Sequence, residues 1–406
     1  MEVDHDWQPD SLEVVSCDNG FNNEPATKLF EDCPLRSVFY ISQNVQEARK
    51  ISRGQDCMSR GLHKEWICHV LCDGHGEDGY ELAEEVCRAL PTAILRRIHE
   101  REITSDDVSD MTIKDAFNEC EEKIKFTDNG KPIKGKYALI VSKYHEHSGK
   151  LGLVTFYGNG QVSVCFNDHT PNEFQVDFEL NEVQGIKYTG GCTCMCFIYH
   201  IPSRRGRVVS LGDSRLLVLS KSNDGEGIET LLSTHSVEDL LEPVVTKENG
   251  HWGFITKTHT LQNENETYRI KGGKENKFEI REARGNLYLV NPDTFHHVEP
   301  TRGMGDFIMR AAGFTSEPEI SATFSIKTST LILAASDGIF DLKVWQENDF
   351  IEFVSHLLQE HGEDTSKLAE AVYRETLEKA YSVLHYTLID DMSMFICLST
   401  GVKTDI

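Results

Sequence analysis

The chain has 406 residues, 39% hydrophobic and 26% charged, which fits a soluble globular protein with a sizeable core in one large domain or two ordinary ones. Its 66 acids against 41 bases give a formal net charge of −25, which argues against a nucleic-acid partner because phosphate neutralisation needs a basic face. No run of ~18 apolar residues offers a membrane span. The start, MEVDHDWQPDSLEVV, lacks the basic and apolar regions of a secretory signal, so we expect a cytoplasmic or nuclear monomer with its twelve cysteines reduced.

Residues 1–34 are polar and acidic without a period, and are expected to form a disordered tail, as is the short end 401–406. Val38–Gln43 reads as a first strand, and Trp66–Cys72 as a second after the polar stretch NVQEARKISRGQDCM. Leu82, Val86 and Leu90 recur every four residues, a helical stripe running into Pro91, and Ile113, Phe117, Cys120 and Ile124 form another. From Tyr137 to Leu180 the pattern turns to short alternating runs with GNG at 158–160 as a hairpin turn, so a β-rich insert is expected within 130–188. His145 and His147 within it read as a polar strand edge.

Strands resume at Cys192–His200, where period 2 places Cys192, Cys194 and Cys196 on one face. No CxxC pair occurs, so buried thiols are expected there and not zinc. GRVVSLGDSRLLVLS reads as a hairpin, 222–300 as polar and irregular chain, and TLILAASDGIFDL as a strand ended by Asp337-Gly338. Two helices follow, one through Phe350, Val354, Leu357 and Leu358, the other from an N-cap near Asp364–Ser366 through Leu368, Val372 and Leu377. MSMFICLS is the last strand. Grouped strands and paired helices favour α+β layers over alternating parallel units.

Aspartates punctuate these strands. Val70–Cys72 runs into Asp73, Val208–Leu211 into Gly212-Asp213 and Leu331–Ala335 into Asp337, while Asp390-Asp391 precede the last strand and Asp56 the second. A single Asp-Gly is an ordinary turn pair. The set is harder to dismiss, because strands of one sheet system can bring their ends to one edge. Clustered carboxylates repel unless a cation neutralises them. Oxygen-only ligands suit a hard ion such as Mg²⁺ or Mn²⁺. Two such ions about 3.5–4 Å apart are an established means of phosphate hydrolysis.

In order and wording these motifs resemble those of the metal-dependent protein phosphatases, the type 2C serine/threonine family. GQDCM, VLCDGHGEDG, YTGGCTCMCFI, VVSLGDSRLLVLS, ETYRIKGG, TRGMGDFIMRAAGFTSEPEI, LILAASDGIFDL and IDDMSMFICL follow the family's order across about 35–400, interrupted by the insert. The resemblance implies a phosphatase domain at 35–400, folded as a four-layer α-β-β-α sandwich of two antiparallel sheets flanked by paired helices. It implies that 222–300 is the family's variable flap. It implies that Asp73 bridges two divalent cations, Mn²⁺ or Mg²⁺, with the Gly74 carbonyl, Asp337 and Asp390 completing their ligands. Asp56 would then order the attacking water, His75 would protonate the leaving alkoxide, and Asp213 and Asp341 would face a weaker third ion.

Two departures stand out. The family often has an arginine five residues before the Asp56 position to bind substrate phosphate, and here that residue is Ile51. Arg49, Lys50 and Arg53 are the nearby basic side chains that could replace it. Gln55 stands where the family usually has an acid. The expected function is hydrolysis of phosphoserine and phosphothreonine in a phosphoprotein substrate. The alternative is a catalytically weak pseudophosphatase acting as a scaffold, and a two-metal nuclease is disfavoured by the acidity.

Overall fold

The computed structural model describes residues 7–16, 26–30, 35–42, 54–104, 108–142, 145–166, 173–221, 240–246, 250–283, 285–341, 343–384 and 390–400. Two large antiparallel sheets dominate them. The first contains β1 (Ser11–Ser16), β4 (Asp56–His63), β5 (Trp66–His75), β12 (Cys194–His200), β13 (Arg205–Leu211) and β21 (Glu319–Ile320) in that order. The short strands β11 (Gly191–Cys192), β20 (Met304–Gly305) and β22 (Phe324–Ser325) flank it. The second runs β15 (Leu241–Val245), β16 (His251–Thr256), β14 (Arg215–Lys221), β23 (Leu331–Ala335), β24 (Met392–Ser399), β3 (Leu35–Ser42), β2 (Ala26–Phe30).

Side-chain alternation decides what each sheet face covers. Cys57, Cys72, Cys192, Cys194 and Cys196 pack against α1 (Gly79–Glu100) and α2 (Asp110–Lys125). Their neighbours Met58, Leu71, Met195 and Phe197 point the other way and meet Phe39, Leu216, Ile332 and Phe395 of the second sheet. The outer face of that sheet, with Val38, Leu217, Leu333 and Met394, packs against α5 (Glu347–His361) and α6 (Thr365–Leu384). The molecule is an α+β sandwich. All ten cysteines among the described residues are buried.

The structure corrects the sequence reading at several places. The acidic start is not wholly disordered: β1 pairs with β4 and β2 with β3, each covering a sheet edge that would otherwise leave backbone groups unpaired. β4 escaped the pattern because Ser59, Arg60 and His63 interrupt it; all three are buried, and the Arg60 guanidinium lies 4.9 Å from the Phe30 ring centroid. The first helix does not stop at Pro91. It continues to Glu100, with the proline ring packed over side-chain-free Gly61 of β4. Interior proline costs ~3 kcal/mol; burying Ile94, Leu95 and Ile98 beyond it, at about 1.5–3 kcal/mol each, outweighs that.

The expected hairpin at 206–220 is not one. β13 belongs to the first sheet and β14 to the second, so Gly212-Asp213-Ser214 is a corner between sheets, turned by Gly212 at φ 112°. The 222–300 region is also more regular than its polarity suggested. Its described part holds β15, β16, α3 (Glu264–Gly272) and a small sheet of β17 (Glu279–Ala283), β18 (Asn286–Val290) and β19 (His297–Val298). The polar side chains that hid this pattern are buried against partners. His251 Nδ1 lies 2.6 Å from Ser355 Oγ, and the Thr256 hydroxyl accepts from the Leu216 N–H at 2.9 Å.

Within 130–188 a separate five-stranded sheet runs β10 (Val183–Gly185), β6 (Tyr137–Ile140), β7 (Leu151–Gly158), β8 (Gln161–Phe166), β9 (Phe174–Glu179). Its ends meet: Lys187 N–H donates to the Lys125 carbonyl at 2.9 Å, and Thr127 N–H to that of Gly185 at 3.0 Å. It also touches the body, since Tyr137 is buried with the α1–α2 core and Lys136 pairs with Asp78. No helix among the described residues is long and apolar enough to cross a membrane.

Candidate metal centre

Backbone register brings the first two aspartates together. Gly74 N–H donates to the Gln55 carbonyl at 3.2 Å, so the next pair along, Asp56 and Asp73, is of the non-hydrogen-bonded kind, where facing Cα atoms approach to ~4.5 Å. Both alternate with helix-facing Cys57 and Cys72, so both point between the sheets. The second sheet supplies the rest. Asp337 begins the short helix α4 (Asp337–Phe340) directly after β23, and Asp390-Asp391 lead into β24, which pairs with β23. Gly338 is required there, because a Cβ would stand 2.1 Å from the Asp391 carbonyl oxygen. Gln55 N–H donates to Asp391 Oδ2 at 2.7 Å, tying the two sheets at this edge.

A cavity of about 580 Å³ opens at this point, lined by Asp73, Gly74, His75, Asp213, Asp337 and Asp390 among others. Asp56 lies buried beneath them, and its Oδ2 has no hydrogen-bond partner. Asp341 stands outside, on an adjoining cavity of about 640 Å³ whose wall also includes Asp213 and Asp337. Arg49, Lys50 and Arg53 fall outside the described residues. The Asp213 corner is held by His259, whose Nδ1 accepts from Gly212 N–H at 3.0 Å while its own N–H donates to the Gly212 carbonyl at 2.8 Å.

The aspartates disturb one another. Burial, then the charges of Asp56, Asp337 and Asp390, push the Asp73 carboxyl well above the usual range. Burial and the charges of Asp390 and Asp213 do the same to Asp337; burial and Asp391 do it to Asp56. Burial alone would lower His75, but the Asp306 and Asp213 carboxylates outweigh it and its pKa is raised.

Several residues of this site had no assigned role in the sequence reading. Thr193 N–H donates to the Asp73 carbonyl at 2.8 Å, its hydroxyl accepts from Asp73 N–H at 3.3 Å and meets Ser214 Oγ at 2.7 Å. It therefore clamps the Asp73 backbone to the Asp213 corner. His296 and His297 reach the cavity rim at the start of β19, and the His296 ring sits edge-on to Tyr137 of the five-stranded sheet at 5.5 Å. Asp306 lies 2.6 Å from His75 Nε2. The Gly-Asp signal that marked 212–213 was also present at 305–306, but no apolar strand leads into it.

Residues 156–382, more than half of the chain, match the sequence model of the Protein phosphatase 2C family. The chain belongs to this family. The matched span includes Asp213, Asp306 and Asp337 and begins after Asp56, Asp73 and His75. A curated relative, "Probable protein phosphatase 2C 61" of Arabidopsis thaliana, is 26% identical over 216 residues, 52% of this chain; the chain spans 56% of that relative's length. A serine-threonine phosphatase 2C from Toxoplasma gondii shares the fold with TM-score 0.56 at 14% identity, covering 92% of this chain and 99% of its own. A second Toxoplasma gondii phosphatase superposes with TM-score 0.52 at 10% identity, covering 94% of this chain and 98% of its own. At these identities the structural likeness speaks for the fold. The phosphatase 2C sandwich thus carries the aspartates of both sheets to one edge.

Proposed function

We propose that this chain is a metal-dependent protein serine/threonine phosphatase. The observation that carries the reading is the meeting of Asp56 and Asp73 from one sheet with Asp337 and Asp390 from the other around one cavity. Carboxylates so placed need a cation to stay charged, and the unsatisfied Asp56 Oδ2 and the all-oxygen donor set suit a hard divalent ion. Among the described residues no three His, Cys, Asp or Glu side chains stand drawn together as a closed ligand set.

Asp73, Asp337 and Asp390, with the Gly74 carbonyl, are the groups that would hold two ions, and Asp213 with Asp341 those that would hold a weaker third. When bound, such ions neutralise phosphate charge and make water a nucleophile near neutral pH. Asp56, buried beneath the cavity, is the carboxylate that would orient the attacking water. His75, protonated on both nitrogens, gives the Nδ1 proton to the departing serine or threonine oxygen and becomes the neutral ring, since its Nε2 is engaged by Asp306. The substrate is a phosphoprotein, read at the rim by the flap.

The test is hydrolysis of a phosphothreonine peptide by the purified chain with Mn²⁺, with Mg²⁺ and with chelator. Turnover that needs the ion and is lost in Asp73→Asn supports the reading. An inert protein that still binds Mn²⁺ would favour the scaffold, to which Ile51 at the usual arginine position points.

A further inference from the structure

We infer that Asp306 is the positioning carboxylate of His75. The inference deepens the phosphatase reading and rests on it for the proton-donor role of His75. Asp306 Oδ2 lies 2.6 Å from His75 Nε2, and the Asp306 side chain is buried. The geometry is constructed. Asp306 occupies the N-cap position of the 3₁₀ turn Phe307–Ala312, where an aspartate ordinarily accepts from the first backbone N–H groups, yet it makes no capping bond. Its carboxylate is given to the imidazole instead.

The backbone that aims it is unusual. Asp306 is left-handed, φ 44° and ψ 41°, directly after Gly305 at φ 76°. A non-glycine residue there costs about 1–3 kcal/mol and persists only when the surroundings over-determine it. They do. Asp306 N–H donates to the Gly190 carbonyl at 3.0 Å. Arg310 donates to the Gly305 carbonyl at 2.9 Å and pairs with Glu121 of α2, whose other oxygen accepts from Gly305 N–H at 3.3 Å. The opposite strand makes room: a Cβ on Gly191 would stand 2.0 Å from Asp306 Oδ2 and 2.7 Å from His75 Nε2. The carboxylate–imidazole pair fills the space that glycine leaves.

A carboxylate in this position takes the Nε2 proton as a hydrogen bond. It fixes the ring plane, sets the tautomer of the neutral ring and leaves Nδ1 as the nitrogen that Asp306 does not engage. The same logic orients a catalytic imidazole between a buried aspartate and its reaction partner in other hydrolases. Asp306→Asn keeps the shape but offers an amide N–H₂ to Nε2, which reverses the tautomer.

The test has two arms. In the first, wild type, His75→Ala, Asp306→Asn and the double variant hydrolyse a phosphothreonine peptide and p-nitrophenyl phosphate with Mn²⁺. Asp306→Asn is expected to lose about 10²-fold in kcat on the peptide and less than tenfold on the aryl phosphate, whose leaving group needs little protonation. The double variant should be no worse than His75→Ala, because the two residues act as a unit. Equal losses on both substrates, or losses that multiply, overturn the inference. In the second arm, ¹H–¹⁵N spectra of His-labelled protein, assigned by His75→Ala and taken at one pH alkaline enough that the His75 ring is neutral, report the tautomer without any turnover. Wild type should carry the proton on Nε2 and Asp306→Asn on Nδ1; an unchanged tautomer overturns the inference. A wild type inert in the first arm would sink the phosphatase reading alone, and the spectra would still decide on Asp306.

Discussion

Asp56 and Asp73 face one another across β4 and β5 at a non-hydrogen-bonded pair, the closest spacing an antiparallel sheet offers to two side chains. Two carboxylates so placed are a fault in a sheet without a cation between or beside them. At an effective dielectric of about 20, like charges roughly 4 Å apart cost about 4 kcal/mol and less as they separate, a cost that partial protonation reduces. Asp56→Asn should therefore stabilise the metal-free protein by about 1–3 kcal/mol while shrinking the stabilisation gained from added Mn²⁺. Thermal unfolding with chelator and with Mn²⁺ checks both signs. A variant less stable than wild type in chelator would mean the pair is satisfied without metal.

Asp73→Asn, Asp337→Asn and Asp390→Asn should each remove most turnover on a phosphothreonine peptide and weaken Mn²⁺ binding. Calorimetric titration with Mn²⁺ separates ligand loss from misfolding. Normal turnover in any of the three would remove that residue from the centre. Asp341→Asn, on the adjoining cavity wall, should leave the binding of the first two equivalents unchanged.

The insert can be exchanged for a linker because its ends are already bonded together between Lys125 and Lys187. Replacing residues 128–184 with a short Gly/Ser segment should leave Mn²⁺-dependent hydrolysis of p-nitrophenyl phosphate within a few-fold of wild type. It should also lower stability by about 3–5 kcal/mol, because Tyr137 is taken from the α1–α2 core. Loss of aryl phosphatase activity in a folded product would show that the Lys136–Asp78 and Tyr137–His296 contacts shape the site itself.

Glu266 ties α3 to the chain around Thr301 and Arg302 from inside. It is 1% exposed, bonded to Arg302, Arg269 and the Thr301 hydroxyl. Burial pushes its pKa up, but the two guanidinium groups overcome this and hold it well below the usual carboxylate range. A depressed folded-state pKa contributes stability above the unfolded value of about 4.3, lost as pH falls below it. Glu266→Gln should cost about 3–5 kcal/mol at pH 7, as breaking a buried pair does. The gap to wild type should begin to narrow below about pH 5 and go on narrowing as pH falls toward the depressed folded value. Urea unfolding at pH 7 and pH 4 tests this; a gap independent of pH would assign the cost to packing.

What the amino-acid order determined by itself is everything written within a few residues of one another. The period-2 cysteines, the four-residue stripes of α1 and α2 and the strands ending on Asp73 and Asp337 are local patterns, and local patterns survive in a one-dimensional reading. Tertiary structure decided the rest. The polar β4 is a buried strand only because Phe30 and the helices cover it, and Pro91 sits inside a helix only because Gly61 makes room below. Gly212-Asp213 is a sheet-to-sheet corner and not a hairpin turn because β13 pairs with β12 and β21 while β14 pairs with β16 and β23, partners that reach more than a hundred residues away in sequence. Asp306 is the sharpest case. Its Gly-Asp pair is a local mark that names no partner, and its meeting with His75, 231 positions earlier, exists only because Glu121, Arg310 and two glycines force the backbone to turn there.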